Sequence, residues 1–130
     1  MIRRSLLPLL AALAACGSAG MIDEGDLELC PAVVNGCTAW DDTTTTVEFG
    51  GAHGDSYAPQ CLRVSVNEPI TFAGDFAVHP LRQVCGPALA IPSTSSGGTA
   101  TFQLTMAGTY GYFCSTHGDA GMVGAIDVVP

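Results

Sequence analysis

The sequence predicts an all-β domain, a Greek-key β-sandwich of seven to eight strands. Short runs with period-two alternation recur between turn residues, as at Leu62, Val64 and Val66 against Arg63 and Ser65. Gly (16) and Pro (8) are frequent, and Thr and Val are abundant. No long segment of 3.6-residue periodicity lies beyond the N-terminus.

Taken in order, Val47-Glu48-Phe49 reads as the first strand, followed by the turn-rich loop Gly50 to Asp55. Gln60 to Val66 is the next strand, and Asn67-Glu68-Pro69 turns it. Ile70-Thr71-Phe72 is a third. Phe76-Ala77-Val78 is expected as a fourth, leading to His79, with Leu81 to Cys85 continuing beyond Pro80. Residues 87–98 are irregular, with a Ser-Thr-Ser-Ser-Gly-Gly run. Thr99 to Leu104 alternates again. Ala107-Gly108 turns into Thr109 to Cys114, and Val123 to Val129 closes the sheet, with Val123, Ala125 and Val128 as core candidates. Tyr110 and Tyr112 share the strand parity of Cys114 and read as core packing.

The N-terminus stands apart from this pattern. Arg3 and Arg4 precede a leucine- and alanine-rich run to Ala15, too short to span a bilayer and typical of an export signal. It ends Leu13-Ala14-Ala15-Cys16-Gly17, which resembles a bacterial lipoprotein signal. That resemblance implies a signal peptide over 1–15, lipidation of Cys16, and an exported, lipid-anchored protein of the cell envelope. Residues 16–29 are small and acidic and read as a tether, with root-mean-square reach of roughly 20–25 Å. Residues 30–130 form the single folded domain.

Without Arg3 and Arg4, two arginines face twelve acids, a net charge near −10, and there is no Lys. This argues against nucleic-acid binding and for cationic partners with salt-sensitive encounter rates. Of six cysteines, Cys30, Cys37, Cys61 and Cys85 suggest two disulfides in an exported chain, with three possible connectivities. Cys37–Cys61 with Cys30–Cys85 is preferred, because it would pin the N-terminal extension to the strands on either side of Thr71.

The chemistry converges on Tyr110 to Gly124. Cys114, His117 and Met122 follow the spacing Cys-x2-His-x4-Met, and His79 lies upstream. Thiolate, two imidazoles and a weak thioether are the donors of a blue-copper site. Gly118, Gly121 and Gly124 permit the backbone angles of a tight ligand loop. Cys114 and His117 could instead be a nucleophile and its base. Met122 and the lack of an oxyanion-type motif lower that option, and zinc has little use for a thioether. His53 is left exposed and without a role.

These residues resemble the copper-binding loop of plastocyanins and pseudoazurins in the cupredoxin family, with a compatible strand pattern over roughly 44–129. The resemblance implies His79, Cys114, His117 and Met122 as ligands of one copper ion cycling between Cu(I) and Cu(II), His79 being offered by a neighbouring strand. It departs from the family at two places. Pro80 stands where an Asn commonly locks the Cys loop, so the lock differs or is absent. Phe113 stands where plant plastocyanins carry a Tyr in a remote acidic patch. The expected function is single-electron shuttling at an extracytoplasmic membrane surface, by a carrier that is not itself an enzyme. A docking patch of Val123, Pro80 and Leu81 would surround His117. Expected partners are redox proteins such as a c-type cytochrome or a terminal oxidase, and the carrier is expected as a monomer. The alternative is a copper-binding delivery protein of the envelope. Further copper sites, as in multicopper oxidases, are excluded within one chain by its three histidines.

Overall fold

The computed structural model describes residues 36–130. The expected signal, Cys16, the tether and Cys30 lie outside the described residues. Eight strands form two four-stranded sheets, all-β as expected. They are β1 (Thr46–Phe49), β2 (Tyr57–Ala58), β3 (Cys61–Ser65), β4 (Pro69–Ala73), β5 (Leu81–Cys85), β6 (Thr99–Gln103), β7 (Gly108–Cys114) and β8 (Val123–Val129). One sheet runs β2-β1-β4-β6, the other β3-β8-β7-β5. The β1/β4 and β3/β8 pairs are parallel and the other pairs antiparallel.

Alternation decides which face each strand buries. Leu62 and Val64 of β3 and Ile70 and Phe72 of β4 point into the core, while Arg63 and Thr71 do not. Asn67 makes the intervening turn with φ 66°, a left-handed conformation that Asn tolerates better than most residues. Tyr110 and Tyr112 are fully buried, as their parity suggested, and Tyr110 donates its hydroxyl to the Met106 carbonyl at 2.8 Å. Each large core side chain contributes about 1.5–3 kcal/mol by leaving water.

Two expectations need correction, and one strand was not anticipated. Phe76-Ala77-Val78 is a turn, not a strand. The Asp75 side chain accepts the Ala77 N–H at 3.0 Å and its carbonyl accepts the His79 N–H at 2.9 Å, a local turn that outcompetes extension. His79 therefore comes from a loop. In β8 Ala125 and Val128 are buried as expected, together with Ile126, whereas Val123 is only half-buried. A run apolar on both faces gives no alternation from which to read its inner side. The two-residue strand β2 was not anticipated, because Tyr57-Ala58 is too short to show a period.

Cys37 and Cys61 form a disulfide, Cα–Cα 5.6 Å, tying the start of the described chain to β3. Cys85 is also disulfide-bonded, and its partner lies outside the described residues, as Cys30 does. Cys114 is a buried thiol in no disulfide.

Candidate metal centre

Cys114 is the last residue of β7 and is fully buried. The chain then turns through Ser115 to Gly121, and hydrogen bonds hold the turn closed. Ala120 N–H donates to His117 O at 3.0 Å, Gly121 N–H to Gly118 O at 3.0 Å, and Met122 N–H to His117 O at 3.2 Å. Cys114 N–H donates to Met122 O at 3.0 Å, closing a ring of backbone that joins the Cys, His and Met positions. Gly118 is buried against the ring of Phe113, where a Cβ would stand 2.6 Å from Cδ2. Gly121 is left-handed, φ 94°. The glycines of the loop thus have separate duties, one of close approach and one of backbone angle.

The two imidazoles meet the thiol. Cys114 Sγ lies 3.5 Å from His117 Nδ1 and 3.8 Å from His79 Nδ1, and the two Nδ1 atoms are 3.1 Å apart. A point equidistant from these three atoms lies about 2.0 Å from each, close to metal–nitrogen bonds of roughly 2.0–2.1 Å and metal–sulfur bonds of about 2.3 Å. The donors therefore converge on a volume the size of one first-row metal ion. Met122 is fully buried beside them, its backbone bonded to both Cys114 and His117. His79 and Cys114 are buried, while His117 is half-buried and turns its outer Nε2 toward Asp55, 3.9 Å away.

Two neighbours were missed from sequence. Gly50 packs against the His79 ring: a Cβ there would lie 3.1 Å from Cδ2. Asp55 reaches His117 across the loop. Both belong to the stretch read only as a turn, and nothing local to that stretch pointed to His79 or His117. Leu81, expected in a surface patch, is buried in the core, while Val78 beside His79 is exposed. Phe113 is nearly buried, with the Arg82 guanidinium 5.7 Å from its ring centre. His53 is exposed and pairs with Glu48 at 3.1 Å.

The sequence profile of copper binding proteins of the plastocyanin/azurin family matches residues 89–129, the segment that carries Cys114, His117 and Met122. A chloroplastic plastocyanin from Hordeum vulgare is 34% identical, over 60% of this chain and 59% of that protein. This chain thus spans less than two thirds of the barley relative. A pseudoazurin from Sinorhizobium superposes with TM-score 0.52 at 26% identity, over 65% of this chain and 72% of its own. In fold and donor set the chain is similar to the cupredoxins. Oxidised plastocyanin from Dryopteris crassirhizoma shares the fold, TM-score 0.54 at 23% identity, over 65% of this chain and 99% of the fern protein.

One copper ion is the cofactor that this site fits. The donor set fits it on chemistry as well as on distance. A thiolate, two imidazoles and a thioether suit copper, whereas a closed structural zinc site would draw on more thiolate or imidazole. His79 precedes the matched segment, so geometry alone brings it to the other donors.

Proposed function

We propose that this chain is a cupredoxin that carries single electrons at an extracytoplasmic membrane surface. The observation that supports this most is the enclosure of the donors: His79 and Cys114 are buried, and His117 is the half-buried donor that approaches solvent. Copper bound there supplies a one-electron couple. The chain holds its donors at fixed separations, because β7, the turn before β5 and the closed ligand loop are each tied by backbone hydrogen bonds. A site that changes little between two charge states exchanges electrons with little reorganisation. His117 is the port, and Val78 and Val123 provide apolar contact for a docking protein near it.

The acidic chain favours a cationic face on that partner, such as a c-type cytochrome, with a terminal oxidase as the other class. Lipidation at Cys16 and the 16–29 tether would keep a monomeric domain near the membrane. A delivery protein needs donors open to exchange, and the burial of His79 and Cys114 does not favour that reading.

The test is one equivalent of Cu(II) added to the protein, followed by visible absorption and EPR. An intense blue or green band with narrow copper hyperfine splitting is expected, and Cys114→Ser abolishes it. A pale adduct with an ordinary copper spectrum would overturn the reading. Copper transfer to a chelator should be slow; transfer within seconds would favour delivery.

A further inference from the structure

On facing sheets lies a pair of buried phenols that packing alone does not explain. Tyr57 of β2 and Tyr112 of β7 come from opposite sheets, and their rings meet edge to face, centroids 4.8 Å apart. Both residues are buried, among the rings of Phe49 and Phe72. Neither hydroxyl has a hydrogen-bond partner among the described residues. A buried hydroxyl left unpaired costs stability that a phenylalanine would not.

A second observation concerns the same hydroxyl. Gly124 faces Tyr112 across the β7/β8 ladder, and a Cβ at Gly124 would collide with the Tyr112 hydroxyl. Glycine inside a strand weakens it. The chain thus places a glycine in a central strand and, with it, admits a hydroxyl that bonds to nothing. Tyr112 precedes Cys114 by two residues on one strand face, and Tyr57 meets Tyr112 from the opposite sheet.

A relay of electrons through these phenols is disfavoured. A phenol that gives up an electron at neutral pH also gives up its proton, and neither hydroxyl has an acceptor within hydrogen-bond reach among the described residues. A dipolar role needs no acceptor. In apolar surroundings an O–H dipole acts strongly on a nearby charge, and a hydroxyl bonded to nothing can rotate to suit it.

We propose that Tyr57 and Tyr112 are positioning residues for the copper couple, whose uncommitted O–H dipoles turn toward the Cys114 sulfur and raise the reduction potential. The sign follows from charge. The oxidised site carries one more positive charge than the reduced site, so the hydrogen ends of the dipoles disfavour oxidation. This rests on Cys114 binding copper as a thiolate.

The test compares the copper-loaded full chain with Tyr57→Phe and with the Tyr57→Phe/Tyr112→Phe double variant. Midpoint potential, the thiolate-to-copper band and apo-protein unfolding in urea are measured together. Expected are blue variants, at least as resistant to urea as the parent, with the equilibrium against a fixed mediator shifted several-fold toward the oxidised form. The shift should be larger in the double variant, and the band should move. Blue variants that keep the parent's potential and band would overturn the proposal, because the hydroxyls would then be merely tolerated. Loss of the blue band would overturn it too, since a tuning dipole is not needed to hold the metal. A parent chain that itself failed to turn blue would instead sink the copper–thiolate reading beneath it.

Discussion

The carbonyl of Pro80 accepts the amide hydrogen of Ser115 at 3.0 Å. Pro80 follows His79 and Ser115 follows Cys114, so one hydrogen bond ties together the residues just after two donors. The Asn expected from the family resemblance is absent, and its place is taken by a main-chain acceptor that proline retains. Pro80→Ala should leave the blue band and the copper affinity nearly unchanged. Ser115→Pro removes the donor and about 0.5–1.5 kcal/mol of net stabilisation, up to roughly tenfold in copper affinity. Competitive chelation of the two variants checks this; equal affinities would show that the bond does not hold the loop.

Gly50 combines φ 69° with ψ −172°, a region open almost only to glycine. A Cβ there would also press on the His79 ring. Gly50→Ala should lower stability by about 1–3 kcal/mol and broaden or shift the copper EPR signal. Gly51 is the control: its φ is 53°, but nothing lies within 4 Å of its added Cβ. Gly51→Ala should lose stability and keep the parent EPR spectrum. Identical spectra for both variants would refute a supporting contact from Gly50 to His79.

Gln83 is buried on β5, and its amide uses its whole capacity on the loop that follows. Its Nε2 donates to Ala88 O at 2.6 Å and Cys85 O at 3.2 Å; its Oε1 accepts from Ala90 N–H at 2.8 Å and Ile91 N–H at 2.9 Å. Gln83→Leu strands four main-chain groups, at a cost of about 2–4 kcal/mol after the loop rearranges toward water. The urea midpoint should fall and proteolysis near residues 86–91 should quicken, while the blue band persists. A midpoint equal to the parent's would contradict this.

Met122→Leu replaces the weak donor with an apolar side chain of similar volume. Copper should remain bound and the reduction potential should rise, since Cu(II) loses more than Cu(I) when a donor is withdrawn. Voltammetry of the loaded variant is the check. Complete loss of copper would mean that Met122 is not the weak fourth donor.

Several features were legible because they are local. The alternation at Leu62, Val64 and Val66 marks β3, and the parity of Tyr110, Tyr112 and Cys114 marks the inner face of β7. The spacing of Cys114, His117 and Met122 on a glycine-rich loop carries the donors without reference to the rest of the chain. The turn at Asp75 was misread because Phe76-Ala77-Val78 is apolar enough for a strand. A side-chain hydrogen bond from Asp75 decides against extension there, and composition does not reveal it.

What the sequence by itself determined is the chemistry: an acidic chain, an all-β pattern and four donors suited to copper. Donor identity is a property of single side chains, so it survives without coordinates. What only the tertiary structure decided is placement. His79 reaches Cys114 because a turn before β5 lies against the end of β7, 35 residues away in sequence. Gly50, Asp55 and the two unpartnered phenols take their meaning from neighbours on other strands. Those contacts arise from the packing of two sheets, and packing joins residues whose separation along the chain carries no periodic signal.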